Sequence, residues 1–185
     1  MKPQAFEPAA NRVPVRVPHE INGFAVMSQA DPEWTEARAS VAIGRPISTV
    51  FAFIRDPHND SLWLTHVGNV LQLTEGPIGI GSKVRQFPIL LGAEVEVEWE
   101  VTEFVQDRRI SVRSRAGPLG FRRSYDCQSI GSETQISMCV QLHLPAIIPF
   151  IAGGAANTLL RNASQRALLR LKAVLEADIE GKATA

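Results

Sequence analysis

The stretch AEVEVEWEVTEF, residues 93 to 104, decides the fold because charged and apolar side chains alternate along it. Glutamates occupy every second position from 94 to 100, and the positions that follow them are Val95, Val97, Trp99 and Val101. A period of two is typical of a β-strand with one buried face. The stretch therefore predicts a strand whose carboxylates and tryptophan lie on opposite faces of a sheet.

The neighbouring strands predict what meets the glutamates. Two-residue turns at 91–92 and 106–107 would align a basic strand on each side of this one. The resulting rows are Lys83–Glu100–Arg113 and Arg85–Glu98–Arg115. Such rows belong on a solvated face, where each ion pair contributes only about 0–1 kcal/mol. Their main effect is on register, since a slip of one residue would turn the charges inward.

The opposite face should point into the protein. A hairpin around residues 130–133, which sets Ser129 opposite Thr134, extends this face to two further strands. The inward set that we select is Gln86, Val97, Trp99, Val101, Val112, Ser114, Arg123, Tyr125 and Met138. A solid core is apolar and closely packed, whereas this set contains an arginine, and a buried, unpaired arginine costs several kcal/mol. A mostly apolar concavity with a few polar groups predicts a small-molecule pocket.

The rest of the chain predicts an α+β domain. Pro46 suits the start of a short helix, and Asp56-Pro57 ends it. The predicted strands are 36–43, 67–74, 83–90, 93–105, 109–116, 121–130 and 134–144; the predicted helices are 45–56, 58–63 and about 149–179, the last with an apolar stripe at Leu160, Ala163, Ala167, Leu171 and Val174. Residues 1–33, with five prolines, are predicted to be an extended or disordered tail; 34–180 form the domain, and 181–185 a C-terminal tail.

Four segments together resemble one protein family. They are SVAIGRPISTVFAFIRDPHNDSLWLTHV, EGPIGIGSKVR, VEWEVTEFVQDRRISVRS and QRALLRLKAVLEA, which begin at residues 40, 75, 97 and 165. Their order is similar to that of the START-like superfamily, also called SRPBCC, and especially of its polyketide cyclase/dehydrase-type proteins. The resemblance implies a helix-grip fold, in which a curved seven-stranded antiparallel sheet wraps a long C-terminal helix around a cavity. It implies ligands such as sterols, lipids, polyketides and quinones, and it carries over no catalytic residue.

Composition excludes several other classes of function. The formal net charge of zero argues against a general nucleic-acid-binding protein. No apolar run approaches the 18 or more residues of a membrane span, and the N-terminal stretch lacks the pattern of a signal peptide, so we expect a cytoplasmic protein without stable membrane insertion. The two cysteines show no CxxC spacing and would lie on opposite faces. We therefore expect no metal, no cofactor and no disulfide, in a monomer or a homodimer.

The candidate ligand contacts each have a structural alternative. Arg123 would hold a ligand oxygen and Tyr125 would donate a hydrogen bond; alternatively, Arg123 reaches the rim and the Tyr125 hydroxyl lies in water. Trp99 would line the cavity or pack in the core, and Trp63 would lie at the cavity mouth or in the core.

Three functions follow from this sequence. The first is binding of a hydrophobic or aromatic small molecule, such as a lipid, a polyketide or an isoprenoid-like ligand. The second is a polyketide cyclase/aromatase or dehydratase that holds a flexible chain in a reactive conformation. The third is a protein-interaction or stress-related module, which a cavity smaller than about 300 Å³ would favour.

Overall fold

The computed structural model of the chain describes residues 34–65, 67–90, 92–117, 120–143 and 154–180. The chain divides into two units, 1–30 and 31–185, and every described residue lies in the second unit. The predicted tails at 1–33 and 181–185 lie outside the described residues.

Seven strands form one antiparallel sheet, which confirms the α+β class and the strand count. In chain order they are β1 (Trp34–Ile43), β2 (Val70–Gln72), β3 (Lys83–Gln86), β6 (Val97–Val105), β7 (Arg109–Ala116), β8 (Gly120–Ile130) and β9 (Glu133–His143). Across the sheet the order is β1-β9-β8-β7-β6-β3-β2. The two remaining short strands, β4 (Ile89–Leu90) and β5 (Ala93–Glu94), pair only with each other.

The predicted strands 83–90 and 93–105 are each interrupted. β3 ends at Gln86, and Pro88 follows two residues later. Proline has no N–H to donate to a ladder. Its carbonyl instead accepts the Val95 N–H at 2.9 Å, which closes the base of the β4–β5 hairpin.

Most of the predicted register is confirmed. Glu100 lies opposite Lys83 on β3 and Arg113 on β7, and Ser129 lies opposite Thr134. The predicted turn at 106–107 is wrong, because Val105 pairs with Arg109 and the turn has three residues. A bulge between Val101 and Glu103 then restores the predicted register.

A second bulge changes one of the predicted ionic rows. Glu98 lies opposite Ala116 and not opposite Arg115. Arg115 instead joins Arg113 in binding the carboxylate of Glu100. The Glu100 side chain is only 10% exposed, although it lies on the outer face, because the two guanidinium groups cover it.

The cluster of Glu100 with Arg113 and Arg115 predicts a pH dependence of stability. Hydrogen bonds from Arg115 and Arg113 lower the pKa of Glu100 from its ordinary 4.5. Below pH 4.5 the unfolded chain binds this proton before the folded chain does, so the stabilisation is present above that pH and is lost as the pH falls through the folded pKa. In urea unfolding between about pH 6 and about pH 3, wild type should lose more free energy of unfolding than Glu100→Gln. Equal losses would contradict this role.

Two helices follow β1 and bring the chain back over the sheet. α1 (Ile47–Arg55) begins after Pro46, whose carbonyl accepts the N–H groups of Thr49 and Val50. It ends at Asp56-Pro57, as predicted. The predicted helix 58–63 is a 3-10 turn (Pro57–Asn59) followed by the single helical turn α2 (Asp60–Trp63).

The long helix α3 (Gly154–Glu180) packs against the inner face of the sheet. Its buried residues after the first turn are Ser164, Ala167, Leu168, Leu171 and Leu175. Ala167 and Leu171 belong to the predicted stripe, whereas Leu160, Ala163 and Val174 are half-buried. The buried face is therefore turned slightly from the predicted one, towards Leu168 and Leu175.

Polar contacts fix the C-terminal part of α3 to the corner after β1. The Arg45 Nε donates to the Leu175 carbonyl at 2.7 Å, and the Lys172 Nζ donates to the Ala42 carbonyl at 2.7 Å. The carboxylate of Glu176 accepts the Gly44 N–H at 2.7 Å. These bonds hold this end of α3 in one place, while the small residues of its middle turns lie over the sheet.

Candidate functional site

A cavity of about 200 Å³ lies between α3 and the inner face of the sheet. Small side chains on one face of α3, where a larger residue would fill the space, help to form it. Its lining residues are Leu64, Thr65, Val67, Gln86, Pro88, Phe121, Arg123, Met138, Val140, Leu142, Ala163, Ser164 and Ala167. The wall is mainly apolar, and Arg123 is the one residue with a permanent charge among the described residues that line it.

α2 carries a carboxylate into the interior beside this cavity. The Asn59 amide donates to the Phe53 carbonyl at 3.0 Å and so ties the turn before α2 to α1. Asp60 and Trp63, one turn apart, then point inward, and they are 3% and 0% exposed. A helix of one turn can thus place a charged residue and an aromatic residue side by side in the core.

Asp60 binds two polar residues of the sheet through one oxygen. The Gln86 Nε2 donates to Asp60 Oδ2 at 2.7 Å, and the Arg123 Nη2 reaches the same oxygen at 3.4 Å. Gln86 is 5% exposed, and the side chain of Arg123 is 12% exposed. The pKa of Asp60 is raised overall, because burial outweighs the opposite effects of Arg123 and Gln86. Arg123 stays protonated in proteins, and a neighbouring cation favours the ionised form of a carboxyl group. Since Asp60 Oδ2 also accepts the Gln86 amide, we assign the pair as a buried ion pair.

Arg123 also lies against two aromatic rings. Its guanidinium carbon is 5.3 Å from the ring centre of Tyr125 and 5.9 Å from that of Phe121. Tyr125 is 3% exposed, and its ring lies 5.6 Å from that of Trp63. Burial raises the pKa of Tyr125, so its hydroxyl stays protonated. The structure therefore excludes the alternative in which Arg123 reaches the rim and the Tyr125 hydroxyl lies in water.

Four buried polar atoms of this region lack a hydrogen-bond partner among the described residues. They are Trp63 Nε1, Trp99 Nε1, Arg123 Nε and Tyr125 Oη. The two indole nitrogens and the Arg123 Nε can only donate, and the Tyr125 hydroxyl can donate or accept. Buried polar groups in folded proteins are almost always satisfied, by protein, by water or by a ligand. All four unpartnered atoms can therefore donate a hydrogen bond, and only the Tyr125 hydroxyl can also accept one.

The ten predicted site residues fall into three sets: cavity wall, packed core and a single serine outside both. Gln86, Arg123 and Met138 line the cavity. Six others belong to the packed core around it, namely Trp63, Val97, Trp99, Val101, Val112 and Tyr125. Ser114 is half-buried, and its Oγ accepts the Phe121 N–H at 2.9 Å, which continues the β7–β8 pairing beyond its last ladder pair. Ligand contact by any of these residues stays a prediction.

The sequence interpretation missed Asp60 and several apolar wall residues. The missed strand residues, Phe121, Val140 and Leu142, lie on the same parity as Arg123 and Met138, so the predicted register was sufficient to find them. Asp60 had no such signal, because a single helical turn has no parity that separates inside from outside. The inward position of Arg123 was the one signal in the sequence that predicts such a carboxylate, since a buried cation needs a partner of opposite charge.

A larger depression lies on the outer face but has a different character. It measures about 500 Å³ and is lined mainly by polar residues of β1, β7, β8 and β9. Three of its arginines are already bound by carboxylates of the outer face, Arg38 by Glu36, Arg109 by Asp126 and Arg113 by Glu100. Because none of the four unpartnered buried atoms belongs to an outward-facing residue, we place the candidate site at the inner cavity.

Two searches of the described residues concern other classes of function. No group of three or more metal-ligating side chains is found within the described ranges. Across the same ranges, no helix combines the length and the hydropathy needed to cross a membrane.

Comparison with known proteins gives a family and a fold. A family model described as "Polyketide cyclase / dehydrase and lipid transport" matches residues 35–176. No curated protein matches the chain. Among solved structures, the Zhui aromatase/cyclase from Streptomyces sp. R1128 has a TM-score of 0.65 at 14% identity, over 79% of this chain and 96% of that one.

Two further structures show the same fold. A START superfamily protein from Mycobacterium smegmatis has a TM-score of 0.64 at 12% identity, over 77% of this chain and 97% of that one. A hypothetical protein from Helicobacter pylori has a TM-score of 0.62 at 19% identity, over 90% of this chain and 99% of that one. The predicted resemblance to the START-like superfamily and its polyketide cyclase-type proteins is thereby confirmed, and with it the helix-grip fold.

Proposed function

Because the chain belongs to the polyketide cyclase/dehydrase and lipid transport family, we propose that it binds one small, mainly apolar molecule in the cavity between α3 and the sheet. The observation that carries this proposal is an apolar cavity with Arg123, a side chain that can only donate hydrogen bonds, in its wall. Apolar burial would supply most of the binding free energy, at about 25 cal/mol per Å² before ordering costs. Arg123 would orient the ligand.

The size of the cavity limits what it can hold. Pockets for drug-sized ligands usually measure about 300–1,000 Å³, whereas this cavity measures about 200 Å³. An engineered apolar cavity of about 150 Å³ holds one benzene molecule. The proposed ligand is therefore a single substituted ring or a chain segment of similar volume.

The small volume also makes the filled-cavity interaction module a competitor. A core that only needed to be filled would not leave the Arg123 Nε and the Tyr125 hydroxyl buried and without partners. Such groups cost about 1–3 kcal/mol each when unsatisfied. A ligand that accepts a hydrogen bond from Arg123, which lines the cavity, recovers part of this cost, which favours ligand binding over a filled core.

A cyclase or aromatase is the second candidate function. It is supported by the similarity to the Zhui aromatase/cyclase and by Arg123 in the cavity wall, whose donors could stabilise an enolate oxygen. The volume of 200 Å³ opposes it, because a folded polyketide chain is larger than one ring. We therefore place ligand binding first.

Filling the cavity should abolish binding. Ala163 lines the cavity from α3 and is half-buried, so Ala163→Leu adds volume where the ligand would lie. The probe is toluene, and its binding is measured by NMR titration of the protein. We expect wild type to bind toluene and Ala163→Leu to bind toluene at least about tenfold more weakly.

The matched control is Ala173→Leu, which makes the same change at an exposed position of the same helix. It should bind toluene as wild type does. If wild type shows no saturable binding of toluene, acetophenone or benzoate, or if Ala163→Leu binds toluene unchanged, this cavity is not the ligand site.

A further inference from the structure

We propose that the cavity selects an uncharged ligand carrying a hydrogen-bond acceptor, of the ketone, ester or quinone class, and that Asp60 sets this preference by balancing the charge of Arg123. This inference rests on the proposed function, and it names the ligand class and a specificity-determining residue. Asp60 was absent from the predicted site and does not itself line the cavity.

The first step concerns charge. Within the described part of the chain, Asp60 is the only carboxylate that pairs with Arg123. Both side chains are nearly inaccessible, at 4% and 12% exposure. An isolated buried charge is expensive, whereas a paired one is tolerated. The pair carries no net charge, so a carboxylate ligand beside Arg123 would bring a second, uncompensated negative charge into the interior.

The second step concerns hydrogen bonds. Among the described residues, the side chain of Arg123 forms a hydrogen bond through Nη2 alone, so its Nε and Nη1, both pure donors, have no partner there. The Tyr125 hydroxyl and the Trp63 indole nitrogen are also unpartnered in the described structure, but these two residues are not among those that line the cavity. Gln86, the other polar side chain of the sheet at the cavity, already donates its amide to Asp60. Arg123 therefore offers only donors, and a carbonyl-type oxygen complements them; the Gln86 carbonyl oxygen and the hydroxyls of Thr65 and Ser164 are the acceptors of the wall.

Together the two steps separate four classes of small molecule. A neutral acceptor gains a hydrogen bond from Arg123 without disturbing the ion pair. A carboxylate competes with Asp60 for Arg123 and leaves one carboxylate buried without a counter-charge. An amine brings further donors and, if protonated, a second positive charge to Arg123, which has no acceptor atom, and a hydrocarbon leaves the donors of Arg123 unsatisfied. Sites built to hydrogen-bond a ligand discriminate strongly against analogues that cannot make the bond.

Acetophenone and benzoate test this on the wild-type protein. They share a phenyl ring and a carbonyl group, and they differ in whether that carbonyl carries a methyl group or a negatively charged oxygen. In NMR titrations near neutral pH, we expect wild type to bind acetophenone at least about tenfold more tightly than benzoate, and more tightly than toluene. Preference for benzoate would overturn the proposal.

Asp60→Asn then tests the role of Asp60. It keeps the shape and an acceptor oxygen for Gln86 but removes the charge that balances Arg123. Affinity for benzoate should rise by about 10- to 100-fold, while affinity for acetophenone changes by less than about threefold. The control Asp56→Asn alters an exposed carboxylate at the start of the same turn and should leave both affinities unchanged.

The failure of this inference is distinguishable from failure of the proposed function. If toluene binds and acetophenone shows no advantage over toluene and benzoate, the cavity is a ligand site without the proposed selectivity. If Asp60→Asn folds, as judged by its amide spectrum, and the ratio of the two affinities does not move, Asp60 does not set the preference. If it does not fold, the wild-type preference alone decides the ligand class. If toluene, acetophenone and benzoate all fail to bind wild type, the proposed function itself is wrong.

Discussion

Replacing Asp60 with alanine is expected to lower the free energy of unfolding by about 3–5 kcal/mol. The change leaves Arg123 buried without its carboxylate and deprives the amide of Gln86 of the oxygen to which it donates at 2.7 Å. Removing one partner of a buried ion pair costs more stability than removing one partner of an exposed pair, because the charge that remains buried is not solvated by water. Urea unfolding at neutral pH measures the loss.

Two further variants show whether the loss comes from the uncompensated charge. Asp60→Ala combined with Arg123→Met should recover about half of the loss or more, since no charge is then left buried. Asp126→Ala removes a carboxylate whose side chain is 47% exposed and pairs with Arg109 on the outer face; it should cost only about 0–1 kcal/mol. An equally small loss in Asp60→Ala would show that this pair does not stabilise the folded domain.

Leu168→Ala is expected to lower the free energy of unfolding by about 2–5 kcal/mol. Leu168 is fully buried in the face of α3 that packs on the sheet, so truncation removes apolar contacts and leaves a void. The effect tests whether α3 is held against the sheet, as the helix-grip arrangement requires. Thermal or urea unfolding followed by circular dichroism measures it.

The neighbouring residue supplies a matched control for this change. Leu169 has the same side chain in the same helix but is 50% exposed. Leu169→Ala should therefore change the free energy of unfolding by less than about 0.5 kcal/mol. Comparable losses in the two variants would contradict the observed orientation of α3.

The sheet was largely predictable because strand parity and turn positions are local properties of the sequence. Alternation alone assigned Glu98 and Glu100 to one face of the sheet and Trp99 to the other. The pairing of Ser129 with Thr134 then placed Arg123 and Tyr125 on the inner face. The errors are irregularities that parity does not contain. Two bulges, near Thr102 and Glu98, each add one unpaired residue to a strand and so shift its register. The break at Pro88 ends the pairing of β3 early.

The site was only partly predictable because its charge balance joins distant parts of the chain. Gln86 and Arg123 came from sheet parity, but Asp60 reaches them from a single helical turn. The division of the inward set between cavity and core depends on how α3 sits over the sheet. Ala163 and Ala167 leave space beside Arg123 and Met138, while Val97, Val101 and Val112 belong to the packed core.

Binding of toluene, observed by intermolecular NOEs on methyl-labelled protein, tests the central claim most directly. We predict NOEs from the toluene ring to the methyl groups of Ala163, Met138 and Val140, which lie on opposite walls of the cavity. NOEs at saturation that reach only exposed methyl groups, such as those of Leu71 and Ile80, would contradict a ligand site between α3 and the sheet.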